Sequence, residues 1–395
     1  MLSSRIQRMQ ESKTIEMARL TRKLRAEGKD VISLSLGDLD FNTPDYIKQA
    51  AKKAIDNNFS HYPPVEGYPD LLEAIINKFE AQSGHRYKRE NILVSNGAKH
   101  TLANIIMATV EEGDEVILPV PYWVTYNELI NLAGGRQVYL PTSLESEYKI
   151  TAAQLEEAIT PRTKLILLNN PNNPTGALYT YDELRDIADV AARHEHLLLV
   201  SDEVYDNIVY EGRFVSMASF GHIIDRLVLV NGVSKTYAMT GWRIGFMAAP
   251  QYLVAACKKL QGQMTSGANA IAQKAAAAAL NSGEEIIEQR REILRSRRDT
   301  IIEELQKIEG VKFMPTQGSF YIFPEFDYYF GKSYKNHTIN NSGDLSLYLL
   351  QEAYVAIVAG EAFGYDKAMR LSFATDEETI REAMKRVRAA LDKLE

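Results

Sequence analysis

Residues 164–205 read KLILLNNPNNPTGALYTYDELRDIADVAARHEHLLLVSDEVY, and this stretch decides the fold. Two apolar runs, 165–168 and 197–200, flank an amphipathic segment that opens on Thr180 with Glu183, a capping-box pattern. A short continuous apolar run bounded by turn residues reads as a strand buried on both faces, and strand, helix, strand in that order is a parallel crossover unit. The same alternation extends outward from Tyr46 to about Pro250, with further strands expected at 92–95, 115–118, 137–140, 227–230 and 244–248. Thr43 followed by Pro44, and Thr151 with Gln154, mark other helix starts. The expectation is an α/β fold with each run a buried parallel strand.

Past about residue 281 the texture changes. Residues 284–308, EEIIEQRREILRSRRDTIIEELQKI, form one long charge-laced helical pattern, and the strands beyond are sparser. The N-terminal segment holds a basic helix and the run 31–36, too little to bury a core of its own, so it is expected to pack against the C-terminal part. This gives a large domain over 44–282 and a discontinuous small domain from 1–43 and 283–395. Five alanines, 275–279, read as a close-packed helix.

The 395 residues are 45% apolar and 25% charged, which excludes disorder and collagen. A net charge of −7 provides no field for nucleic acid. The lone cysteine, Cys257, excludes an intrachain disulfide and a cysteine-based zinc site, and suits a reducing cytoplasm. MLSSRIQRMQESK lacks the apolar region of a signal peptide, and no apolar run approaches the roughly 18 residues of a membrane span. A soluble cytoplasmic protein is expected, with no membrane and no nucleic-acid partner. His194 and His196 flank Glu195 at a spacing that does not share a helix face, so no metal site is read there. No GxGxxG is present, and Gly262 and Gly267, at Walker spacing, are followed by Ala268 without the phosphate-binding lysine.

In open parallel sheets ligands bind beyond the carboxyl ends of the strands. Here five exits are polar: NILV leads into SNGAKH, EVIL into PVPYW, KLILL into NNPNNPTG, HLLLV into SDEVY and RLVLV into NGVSK. One such exit is turn chemistry; five on one sheet edge point to a binding site. Lys235 is either a solvated surface residue or, at the end of a buried strand, an amine poised for Schiff-base chemistry. Asp202 follows four apolar residues, and a buried carboxylate there needs a cation or donors facing it. A carboxylate opposite a pyridinium nitrogen, with a lysine Schiff base at the other end, is the pairing that pyridoxal phosphate enzymes use.

The strings NNPNNPTG, SDEVYDNIVYEG and NGVSKTYAMTGWRIG, with YPPVEGYPDLLEAI, PYWVTY and MRLSFA around them, resemble the class I/II pyridoxal-phosphate-dependent aminotransferases of fold type I. The resemblance runs from about Ser4 to Leu391. It implies a large domain with a mostly parallel seven-stranded sheet between helices, and a smaller α+β domain. By the same resemblance Lys235 would form the Schiff base, Asp202 would keep the pyridine nitrogen protonated, and Tyr205 and Asn173 would bond the phenolic oxygen. Trp123 would stack on the ring, although an aromatic there also suits a core. Gly97, Ala98, Ser234 and Arg243 would hold the phosphate, together with Tyr62 of a neighbouring subunit, which implies a homodimer. Arg370 and the backbone of Gly37 would take the substrate α-carboxylate. Many members read GEPDF where this chain has GDLDF, so Asp38 and Leu39 depart from the pattern.

Within the subgroup resembling bacterial aspartate aminotransferases, Lys99, Ser12 and Thr14 stand where the distal carboxylate is recognised. The implied reaction is L-aspartate with 2-oxoglutarate to oxaloacetate and L-glutamate, by a ping-pong cycle. Relatives that also transaminate prephenate carry a lysine after the methionine matched by Met9; here it is Gln10. The alternatives on the same scaffold are an aminotransferase for aromatic or neutral amino acids and a C–S lyase. A pyridoxal-phosphate-binding transcription regulator would need a DNA-binding domain, and only about 40 residues precede the catalytic part.

Overall fold

The computed structural model describes residues 2–9 and 13–395. Seven strands build the central sheet: β1 (Ile92–Ser95), β2 (Glu115–Val120), β3 (Arg136–Pro141), β4 (Thr163–Asn169), β5 (Leu198–Asp202), β6 (Leu227–Gly232) and β7 (Gly245–Ala248). Their spatial order is β1-β7-β6-β5-β4-β2-β3. Every apolar run expected to be a strand is one. The exception is direction: β7 is antiparallel to both β1 and β6, which corrects the all-parallel reading. A run buried on both faces looks the same in either direction, and the reversal arises from the turn-rich connection between Gly232 and Gly245 that takes the place of a crossover helix.

Successive side chains of each strand point to opposite faces. Leu199, Leu227 and Leu229 enter a core covered by helices Pro69–Ser83, Tyr181–Arg193 and Ala270–Leu280. Leu198, Val200, Val228 and Val230 enter a second core covered by Ala98–Thr109, Val124–Ala133 and Gln251–Met264. Each such fully buried side chain contributes about 1.5–3 kcal/mol. The alanine run lies in Ala270–Leu280, packed closely on helix Asp45–Asp56. Cys257 is wholly buried in the second core, and burial pushes its thiol up to about 12.

Both capping boxes form. Thr151 Oγ1 accepts from Gln154 N at 3.2 Å, and Thr180 Oγ1 accepts from Glu183 N at 3.3 Å. Thr43 does not cap: Pro44 occupies the N-cap position of Asp45–Asp56, leaving Thr43 outside the first turn. Its hydroxyl instead donates to Ala238 O at 2.7 Å and accepts from Trp242 Nε1 at 3.1 Å. His194 meets Glu156 Oε1 at 3.0 Å and His196 meets Thr160 O at 3.1 Å, so each imidazole has its own local partner.

A third core gathers Leu294, Ile301, Phe320, Tyr348, Phe373, Ile380 and Val387, from the long helix Glu285–Leu305, helix Glu377–Leu391 and the segments between. Strand Met369–Ser372 lies between Val358–Ala359 and Tyr321–Ile322, antiparallel to both. The N-terminal segment packs here too: Ile32–Ser33 pairs in parallel with Val355–Ala356, and Met17 and Val31 lie against Leu350 and Ala356. Among the described residues no helix is long and apolar enough to cross a membrane.

Candidate active site

The register of the sheet sets the site. Asn169 lies beside Asp202, and Asp202 beside Val230, so β4 and β5 end level and β6 runs two residues further. Beyond their ends is a cavity of about 430 Å³, lined by Gly37, Ala98, Lys99, Trp123, Tyr126, Asn173, Asp202, Tyr205, Ser234, Lys235, Arg243, Tyr321 and Arg370, among others. Asn169 fixes its two neighbours: Nδ2 donates to Asp202 O at 2.9 Å, and Oδ1 accepts from Asn173 N at 2.7 Å.

Asp202 is buried on the floor of the cavity. Its Oδ2 accepts from the Tyr126 hydroxyl at 2.7 Å and its Oδ1 from Val204 N at 3.3 Å. Burial pushes its carboxyl up to about 6, while the Tyr126 and Val204 donors and the charge of Lys235 pull the other way. Lys235 Nζ donates to Gly37 O at 2.6 Å, so the lysine spans from the end of β6 to the N-terminal segment. The Tyr205 hydroxyl accepts from Asn173 Nδ2 at 3.5 Å and donates to the Tyr321 hydroxyl at 3.4 Å, both longer than a well-made bond.

Arg370 is 3% exposed. Its guanidinium lies over the rings of Tyr321 and Phe363 at 4.4 and 5.0 Å. Nη1 donates to Asn173 Oδ1 at 3.1 Å and Nη2 to Ser35 O at 2.8 Å, whereas Nε is buried without a partner among the described residues. Arg370 lines the cavity, and a guanidinium there has the fork geometry that suits a carboxylate. At the other side, Lys99 Nζ lies 5.1 Å from the centre of the Trp123 ring. Desolvation lowers the pKa of Lys99, and the nearby charges of Arg243 and Lys235 lower it further, so an anion between these cations is favoured.

Residues 29–387 match the family model described as aminotransferase class I and II. The chain belongs to the class I and II aminotransferases. Relatives cover nearly its whole length. The probable aspartate/prephenate aminotransferase of Rhizobium leguminosarum is 41% identical over 98% of this chain and 97% of that protein. The aspartate aminotransferase of Rhizobium meliloti, a crystal structure, superimposes with a TM-score of 0.97 at 39% identity over 100% of both chains. The Thermus thermophilus aspartate aminotransferase with maleate gives 0.93 at 36% identity over 99% of both.

Pyridoxal phosphate is the cofactor of this family, and the cavity of this aminotransferase suits it at three points. Asp202 is a buried carboxylate that a ring N–H cation would hold ionised. Gly97, at φ 88°, opens the twelve-residue helix Ala98–Thr109, and a Cβ there would overlap the Arg243 guanidinium; backbone amides, arginine and Ser234 thus gather as an anion cradle. Lys235 stands on the same cavity.

Of the residues singled out in the sequence, Gly37, Gly97, Ala98, Lys99, Trp123, Asn173, Asp202, Tyr205, Ser234, Lys235, Arg243 and Arg370 are brought together at the cavity or its rim. Tyr62 is not; it is 90% exposed and lines no part of it. Ser12, Gln10 and the side chain of Thr14 lie outside the described residues. Among the cavity residues that escaped the sequence reading are Tyr126, Asn169 and Tyr321. Tyr126 had a signal, since it follows Trp123 by one helical turn and must share its face.

Proposed function

We propose that this aminotransferase exchanges the amino group of L-aspartate with 2-oxoglutarate by a ping-pong cycle. The observation that carries the substrate is the pair of cations on one cavity, Arg370 and Lys99, which suits a molecule with two carboxylates. Maleate, bound by the Thermus thermophilus neighbour, is such a molecule.

Bound pyridoxal phosphate supplies a pyridinium ring that accepts the electron pair left when the substrate Cα loses its proton. Asp202, held by Tyr126, would keep the proton on the ring nitrogen. Gly97, Ala98, Ser234 and Arg243 would hold the phosphate. Trp123 would pack on the ring, and Tyr205 and Asn173 would bond its phenolic oxygen. Lys235 would hold the cofactor, and its Nζ is the base that would take the proton from the substrate Cα and return it. Gly37 O, which accepts from that Nζ, holds the amine in place. Arg370 would take the α-carboxylate and Lys99 the distal one, with Ser12 and Thr14 joining it by the resemblance alone.

We take the working unit to be a cytoplasmic homodimer in which the exposed Tyr62 reaches the neighbouring phosphate. Residues 44–282 would form the large domain, and 1–43 with 283–395 a small domain that closes over substrate. The test is the absorption spectrum of the holoenzyme. Aspartate should convert the lysine-bound cofactor to its amino form, 2-oxoglutarate should restore it, and Lys235→Ala should abolish both. Lys99→Ala should cut turnover of aspartate by at least about 10-fold more than turnover of alanine, from one lost charge-assisted contact. Equal losses would remove aspartate as the substrate and turn attention to aromatic or neutral amino acids; ammonia release without an amino acceptor would indicate lyase chemistry.

A further inference from the structure

Tyr321 has no part in the mechanism above, yet it touches three residues that do. It is 1% exposed, stands in the strand beside Arg370 and lines the cavity. Arg370 stacks on its ring at 4.4 Å, its hydroxyl lies 3.4 Å from that of Tyr205, and a Cβ on Gly37 would overlap that same hydroxyl. Glycine at 37 is thus what leaves the phenol its place.

A phenolic oxygen has one proton and two lone pairs. One lone pair of Tyr205 faces Asn173 Nδ2 at 3.5 Å, and its proton points to Tyr321. That proton cannot serve Tyr321 and a cofactor oxygen together. Hydroxyls turn about the C–O bond at little cost, so the bond between the two tyrosines can reverse. With Tyr321 donating, both lone pairs of Tyr205 are filled and its proton has only the cavity to face. The Arg370 guanidinium, stacked on the Tyr321 ring at 4.4 Å, holds that ring with its hydroxyl beside the Tyr205 hydroxyl.

We propose that Tyr321 is a positioning residue: by donating its proton to Tyr205, it commits the Tyr205 proton to the phenolic oxygen of the cofactor. This rests on Tyr205 facing that oxygen, as proposed above. A proton donated there stabilises negative charge on the oxygen, so weakening it raises the pH at which the bound cofactor titrates.

The experiment is a pH titration of cofactor absorption in the wild-type holoenzyme, Tyr321→Phe, Tyr205→Phe and the double variant. Phenylalanine keeps the ring under Arg370 and removes only the hydroxyl. Tyr205→Phe should raise the midpoint. Tyr321→Phe should raise it by about 0.5–1 pH unit, the worth of one ordinary hydrogen bond. In the Tyr205→Phe background the second substitution should add nothing, because its effect passes through Tyr205. An unmoved midpoint in Tyr321→Phe, or an equal shift in both backgrounds, overturns the proposal while leaving the role of Tyr205 intact. An unmoved midpoint in Tyr205→Phe overturns that role, and the proposal with it.

Discussion

Replacing Arg370 with lysine keeps the charge and removes the fork. In the structure the guanidinium lines the cavity, with Nη1 donating to Asn173 Oδ1 at 3.1 Å and Nη2 to Ser35 O at 2.8 Å. Lysine, a point charge on a flexible stem, cannot reach both fixed acceptors and a carboxylate from one position. At least one charge-assisted bond to the substrate is lost, worth about 1.5–3 kcal/mol, and a buried acceptor on Asn173 or Ser35 is left unpaired at a further ~1–3 kcal/mol. The lost substrate contact predicts a fall in kcat/KM of about 10–10²-fold, while the unpaired acceptor, present in free and substrate-bound enzyme alike, weakens the fold instead. The assay is the half-reaction with aspartate and with alanine, followed by cofactor absorbance. Because both substrates carry the α-carboxylate, both should fall alike, unlike the selective loss expected for Lys99→Ala. Cofactor binding at rest should survive. A loss under 10-fold, or one confined to aspartate, would refute Arg370 as the α-carboxylate site.

At Gly97, φ 88° and ψ 158° form a conformation open essentially to glycine alone. Gly97→Ala should cost about 1–3 kcal/mol in strain and displace Arg243, weakening pyridoxal phosphate affinity by ~10–100-fold; an unchanged Kd by equilibrium titration would place the phosphate elsewhere. Glu203 is buried one residue after Asp202, accepting from Ser201 Oγ at 2.9 Å, Ser216 Oγ at 2.8 Å and Met217 N at 2.9 Å. Burial pushes its carboxyl from 4.5 up to about 7 despite those donors, and the charge of Asp206 adds to the rise. Between those two pH values the folded chain holds a proton that the unfolded chain has lost, so this group's stabilising contribution is complete below 4.5 and is lost as pH rises through 7. Denaturant unfolding of the holoenzyme should therefore show a decline of about 3 kcal/mol over that window that Glu203→Gln removes; parallel pH profiles for the two proteins would contradict it.

The parts of the site legible in the sequence are those fixed by local rules. Asn173, Asp202 and Lys235 follow strand ends, and a strand end is visible wherever an apolar run stops. Thr151 and Thr180 cap because their partners stand three residues on. Thr43 is the instructive failure, since its hydroxyl finds Ala238, 195 positions away, and no pattern within a turn of chain announces that. Tyr321 is equally remote from Tyr205, separated by 116 residues, and lies in a strand of only two residues that no periodicity marks. The direction of β7 was hidden for another reason: burial on both faces erases the alternation that would have distinguished it.

The departure at Asp38 and Leu39 shows how such remote contacts can bind a chain-specific sequence into a shared mechanism. Segment 37–43 is strapped across the loop that bears Lys235. Gly37 O accepts from Lys235 Nζ, Asp38 Oδ1 accepts from Thr240 Oγ1 at 2.8 Å, and Thr43 Oγ1 donates to Ala238 O and accepts from Trp242 Nε1. From behind, Arg290 bonds Asn42 O at 2.6 Å and Thr236 O at 3.2 Å, while Arg297 grips both oxygens of Asp40 at 2.8 Å. Both guanidiniums lie on Phe41, at 5.2 and 5.0 Å. Leu39 is 8% exposed and belongs to the third core. In GDLDF, then, Asp38 supplies a hydrogen-bonded tie to the lysine loop and Leu39 an apolar anchor in the third core. The carbonyl of Gly37 is thus held against Lys235 by a segment whose following residues, from Asp38 to Thr43, are each tied to the lysine loop, to the third core or to the long helix.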